Sequence, residues 1–83
     1  MSNENPPRVL VVDDDPAIRT LIADYLHEND LRVTAASNGK EMTAALKEHA
    51  IDLIILDLRM PGEDGMQIAR RVRDQSSLPI IIV

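Results

Sequence analysis

Residues 53–65 read "LIILDLRMPGEDG". The opening run Leu53–Leu56 has no polar member, so neither of its faces is patterned for water. Such a run is that of a strand covered on both sides, as in a parallel sheet packed between helices. Asp57 therefore stands where a buried strand ends, and Arg59, Pro61, Gly62 and Gly65 follow it. A carboxylate at the mouth of a buried strand has to face a partner.

Working outward, the third strand spans Asp52–Leu56. Val9–Val12, "VLVV", is a first strand of the same apolar, β-branched kind. Asp15 and Pro16 follow it. Aspartate is a strong helix N-cap and proline is favoured at the first helical position. Ile18, Leu21, Ile22, Tyr25 and Leu26 recur at helical spacing and predict a helix that ends near Asn29. Arg32–Ser37 reads as a second, more polar strand. Asn38 and Gly39 make a turn or cap, and Met42, Ala45 and Leu46 mark one face of a shorter helix. A third helix is expected from Asp64 or Gly65, with Ile68, Ala69 and Val72 inward. Leu78–Val83, "LPIIIV", is a fourth strand. Strand and helix alternate throughout, which with right-handed crossovers implies a doubly wound α/β sheet.

The 83 residues suffice for one small domain. At that size folding buries only about three fifths of the unfolded surface. Cysteine is absent, which removes disulfides and thiolate metal sites. Tyr25 is the only aromatic residue, so the core is aliphatic. Residues 1–7 read as a disordered leader and 8–83 as the domain. No apolar run approaches the ~20 residues that span a bilayer, and a soluble cytoplasmic protein is the expectation. The net charge of −5 disfavours nucleic-acid binding by this segment.

In a doubly wound sheet, ligands bind beyond the carboxyl ends of the strands, where the strand order reverses. The first strand is followed by Asp13 and Asp14, and the third by Asp57. If those strands are neighbours, their ends lie ~5 Å apart, and three carboxylates converge. Like charges that close raise each other's pKa unless a cation sits among them. Carboxylate oxygens at this density suit a hard cation, best Mg²⁺, which leaves positions for water and phosphate oxygens. Each acidic site also has an ordinary reading, as a capped turn after the first strand and a turn residue after the third. Their occurrence together, at the same edge of the sheet, favours the cleft.

"VLVVDDDP" and "LIILDLRMPGEDG" together resemble the receiver domain of bacterial two-component response regulators. The resemblance covers residues 8–83. It implies a flavodoxin-like fold with strand order 2-1-3-4. Asp57 would be the phosphoacceptor, taking a phosphoryl group from a phosphohistidine on a sensor histidine kinase. Asp14 would ligate Mg²⁺ directly and Asp13 mostly through water. The backbone carbonyl of Arg59 would supply a further metal oxygen, and Pro61 and Gly65 would shape the loop. A full receiver also has a fifth strand, two further helices, a Ser or Thr ending the fourth strand and a Lys ending the fifth. The 83 residues contain none of these. Lys40 and Lys47, on the second helix, are not assigned the missing lysine's role.

His27 and His49 read as solvated residues near helix ends. Arg70, Arg71 and Arg73, following on the third helix, read as a solvated face, with kinase docking as the alternative. Met42, Met60 and Met66 read as core or loop filler. A phosphoaccepting signalling module, itself not an enzyme, is the first functional reading. An aspartyl-phosphate hydrolase of the haloacid-dehalogenase kind needs an acid two positions after the nucleophile, where Arg59 stands. A receiver-like binding or dimerisation module that is never phosphorylated is the third. With four strands and three helices, one face of the sheet stays partly bare. Self-association through that face and the fourth strand, as a homodimer, is expected of the 83-residue chain.

Overall fold

The computed structural model describes residues 6–60, 62 and 65–83. β1 (Arg8–Val12), β2 (Arg32–Ala36), β3 (Leu53–Leu56) and β4 (Ile80–Ile82) form one parallel sheet in the order β2-β1-β3-β4. α1 (Pro16–Glu28), α2 (Gly39–Glu48) and α3 (Gly65–Gln75) connect them. The flavodoxin-like arrangement and the 2-1-3-4 order are those expected from the sequence.

The helix boundaries follow from local chemistry. Asp15 caps α1 by accepting a hydrogen bond from the Ala17 N–H at 2.9 Å. α1 stops at Asn29 because Asp30 turns into the left-handed region (φ 64°). The N–H groups of Asp30 and Leu31 then donate to the carbonyls of His27 and Leu26, closing the last turn. Asn38 caps α2 by accepting from the Glu41 N–H at 2.8 Å. The Glu41 carboxylate reaches back to the N–H and hydroxyl of Ser37, both at 2.7 Å, a variant of the reciprocal cap. Those two donated bonds hold its carboxyl below the usual carboxylate range.

The strands alternate sides. Leu10, Val12, Ile54 and Leu56 point to the face covered by α2 and α3. There they pack with Met42, Ala45, Ile68, Ala69 and Val72. Leu46 and Leu78 complete this core from its edge. Met60 is buried with it, while Met66 is exposed. Arg70, Arg71 and Arg73, expected to follow the third helix, instead lie within α3, which runs on to Gln75, and are exposed. β4 is shorter than expected: Leu78 lies before the strand, and Pro79 joins it only by accepting from the Ile54 N–H. Proline has no N–H to give the ladder.

The opposite face departs from the helical pattern read in α1. No residue of that helix is buried, and Leu21 and Tyr25 are 66% and 65% exposed. α1 lies over β1 and β2, covering Val9 and Val11, with Ile22 and Leu26 half-buried. The apolar stripe is wider than this one contact, so its outer flank and the β3–β4 half of the face share open water.

Pro6 and Pro7, in the expected leader, accept hydrogen bonds from the Arg32 side chain and N–H; residues 1–5 lie outside the described residues. Among the described residues, no helix is long and apolar enough to cross a membrane.

Candidate functional site

The parallel register pairs Val12 with Leu56, which brings the next residues, Asp13 and Asp57, side by side. Both continue the ladders beyond the strands. The Asp13 N–H donates to the Ala36 carbonyl at 3.1 Å, and the Asp57 N–H to the Val12 carbonyl at 3.0 Å. Each carboxylate then braces its own turn. Asp13 accepts from the Asp15 N–H at 2.9 Å, and Asp57 from the Arg59 N–H at 2.9 Å. Asp14 lies between Asp13 and the cap residue, exposed.

One carboxylate oxygen from each of Asp13, Asp14 and Asp57 lies within 4.8 Å of the other two. This is the convergence expected from the sequence, produced by strand neighbours far apart in the chain. Asp13 is buried, Asp57 partly so. Burial pushes the Asp13 carboxyl above its ordinary value. The Asp15 N–H opposes that, while Asp57 and Asp14 beside it add to it. Three acidic groups in so small a space are an oxygen-rich set that a hard divalent cation fits.

The loop after Asp57 is shaped by its glycines. Gly62 sits at φ +76°, a conformation that side chains disfavour. Gly65 is buried at the start of α3, where an added Cβ would come within 2.7 Å of the Leu58 Cα. Backbone against backbone cannot yield cheaply, so this position needs glycine. Pro61 and Asp64 lie outside the described residues. Val83 brackets the site from β4: its N–H donates to the Leu56 carbonyl at 3.0 Å.

A family model described as the response regulator receiver domain matches residues 9–83. The chain belongs to this receiver family. It is 44% identical over 82 residues to the transcriptional regulatory protein AruR of Pseudomonas aeruginosa, covering 93% of this chain and 34% of that protein. It is 41% identical over 83 residues to ResD of Bacillus subtilis, covering 100% of this chain and 35% of that one. The chain thus spans about a third of the length of the curated relatives it matches. Its fold is also that of the response regulator TrrA of Thermotoga maritima, solved in complex with Mg²⁺-BeF. There the TM-score is 0.85 at 38% identity, covering 92% of this chain and 67% of that one. A Pseudomonas putida receiver protein superposes with a TM-score of 0.88 at 34% identity, covering 98% and 69%.

In this receiver, the candidate residues divide by place. Asp13, Asp14 and Asp57 meet; Arg59 sits in the adjoining turn with its side chain exposed. His27 and His49 are exposed at the ends of α1 and α2. Sequence reasoning missed Arg19, whose guanidinium donates to the Asp13 carbonyl at 2.7 Å. The available signal was a basic residue near the N-terminus of a helix, where the dipole favours an acid.

The raised Asp13 pKa has a consequence for stability. In the metal-free protein the folded state holds a proton that the unfolded chain has already lost. That holds in the pH window between the ordinary aspartate value and the raised one. Stability is therefore expected to fall as pH rises through this window, with the full penalty present above it. Asp13→Asn should flatten that slope and raise stability at neutral pH. Urea unfolding of both proteins across the window, in chelator, checks this; parallel slopes would contradict it.

Proposed function

We propose that this chain is the phosphoaccepting module of a two-component response regulator, with Asp57 receiving the phosphoryl group of a phosphohistidine on a sensor histidine kinase. The observation that carries the reading is the meeting of three aspartates at the carboxyl edge of the sheet. In the reaction a carboxylate oxygen of Asp57 attacks phosphorus in line. The new O–P bond forms as the N–P bond breaks, and its electron pair stays on the departing imidazole. Two anions must approach, so the step needs its charge neutralised.

Asp14, exposed toward the cleft edge, is the direct ligand we assign to Mg²⁺. Asp13 would act mostly through water, and Asp57 and the Arg59 backbone carbonyl would each offer a further oxygen. When bound, Mg²⁺ neutralises and orients the phosphoryl group. The Mg²⁺-BeF complex of TrrA supports the same ion here. Asp57 already accepts from the Arg59 N–H through Oδ1, which holds its carboxylate in one orientation. A hydrolase of the haloacid-dehalogenase kind is disfavoured, because the position two after Asp57 carries an arginine rather than an acid. Receivers are signalling modules; we assign this one to the cytoplasm, with a sensor histidine kinase as its partner. The net charge of −5 supports no direct nucleic-acid contact by this segment.

Incubation with acetyl phosphate tests the proposal. One Mg²⁺-dependent phosphoryl group on Asp57, located by mass spectrometry, is expected. A folded chain that stays unmodified would instead favour a binding or dimerisation module. In Mg²⁺ titrations Asp14→Ala should weaken binding more than Asp13→Ala. A titration curve for Asp14→Ala that matches wild type would remove it from the ligand set.

A further inference from the structure

α1 has no acidic residue in its first turn. Its fourth residue is Arg19, a cation close to the end where the helix dipole is positive. Placed there, the charge is unfavourable for the helix. Its side chain turns back past the helix start, and Nη1 donates to the Asp13 carbonyl at 2.7 Å. A bond that short from a guanidinium is charge-assisted and stronger than a neutral one. The Arg19 N–H also donates to the Asp15 carbonyl at 3.0 Å. That second bond is the ordinary first-turn bond of α1 to its cap residue, so what Arg19 adds by its side chain is the tie to the β1–α1 loop just before Asp14. Glu41, the acid that feels its charge, is itself engaged by Ser37.

Asp13 is consequently held at three points. Its N–H donates to Ala36, its carboxylate accepts from the Asp15 N–H, and its carbonyl accepts from Arg19. The first two bonds set where Asp13 sits. The third sets the plane of the peptide joining Asp13 to Asp14, and hence the direction in which the Asp14 side chain leaves the backbone. We propose that Arg19 is a positioning residue for the acidic cluster: its bond to the Asp13 carbonyl aims the Asp14 carboxylate into the cleft shared with Asp13 and Asp57. This rests on the reading of that cluster as a divalent-cation site.

The sign of one measurement separates this role from a bare charge. A guanidinium beside a cation site repels the incoming ion, so as a charge alone Arg19 weakens binding, and its removal would tighten it. As a positioning group it strengthens binding, and its removal loosens it. A role in contacting a kinase would leave Mg²⁺ affinity unmoved.

The experiment is Mg²⁺ titration followed by amide NMR, which also reports folding in the same sample. Arg19→Met keeps much of the aliphatic stem and removes the donors; Arg19→Lys restores one charged donor. Arg19→Met is expected to bind Mg²⁺ about 10-fold more weakly, as when other groups that orient metal ligands are lost. Arg19→Lys should recover part of that. In an Asp14→Ala background, Arg19→Met should add little, because the effect runs through Asp14. Unchanged or tighter binding by Arg19→Met overturns the proposal, and so does an effect that simply adds to that of Asp14→Ala. A wild-type chain that binds no Mg²⁺ fails the metal reading itself, and the positioning role with it.

Discussion

Asp57→Asn is expected to abolish covalent phosphorylation while leaving the fold intact. The amide is nearly isosteric, and every backbone bond at the position remains available. The Asp57 N–H still donates to the Val12 carbonyl, and a side-chain oxygen still accepts from the Arg59 N–H. What is lost is the nucleophilic charge. An amide oxygen does not displace imidazole from phosphorus, so the loss should be complete rather than partial. Two secondary effects follow from the same substitution. One of the charges that raises the Asp13 pKa disappears, which lowers that pKa and relieves repulsion in the metal-free cluster. Mg²⁺ affinity falls as well, since one of three carboxylates is gone. Wild type and variant compared by intact-mass measurement after acetyl phosphate, with unfolding curves in chelator, test all of this. Phosphorylation that persists in the variant would move the acceptor to another residue.

The second large effect concerns association. The 83-residue chain by itself is expected to self-associate at micromolar concentration. Ile81 and Val83 are 47% and 58% exposed, and Leu21 and Tyr25 lie open on α1. Leu53 and Ile55 are only half-buried on this side of the sheet, by alternation with Ile54 and Leu56. Burying one such side chain is worth roughly 1.5–3 kcal/mol. Several together rival the whole stability of a small domain, ~5–15 kcal/mol. β4 is also a sheet edge with backbone groups available for pairing. Its three residues make it a short edge, so the apolar face rather than the edge should dominate. For the 83-residue species studied alone, a second copy related by a two-fold axis is the occupant we expect; in a longer chain the fifth strand and further helices of a full receiver would take that face instead. Sedimentation of the 83-residue species across a concentration series decides the point. A well-folded monomer at micromolar concentration would falsify it.

Much of the architecture was legible in the sequence because the signals are local. Asp15 and Asn38 cap helices through bonds to residues two or three positions on, and the apolar runs of β1 and β3 mark buried strands. The two aspartate sites could be placed at one edge of the sheet, since in a parallel sheet every strand's carboxyl end faces the same way.

What the chain order could not decide were distances between segments and the fate of each face. Only the Val12–Leu56 register brings Asp13 level with Asp57, and burial at that junction, with the neighbouring Asp57 and Asp14 adding to it, raises the Asp13 pKa. The periodicity of α1 correctly marked an apolar stripe but not how little of it would be covered. Spacing records which residues share a face, whereas exposure depends on what packs against that face. Arg19 escaped notice for the same reason. A long side chain reaching back over a helix end leaves no periodic trace, and its bond to the Asp13 carbonyl exists only once β1 and α1 are folded together.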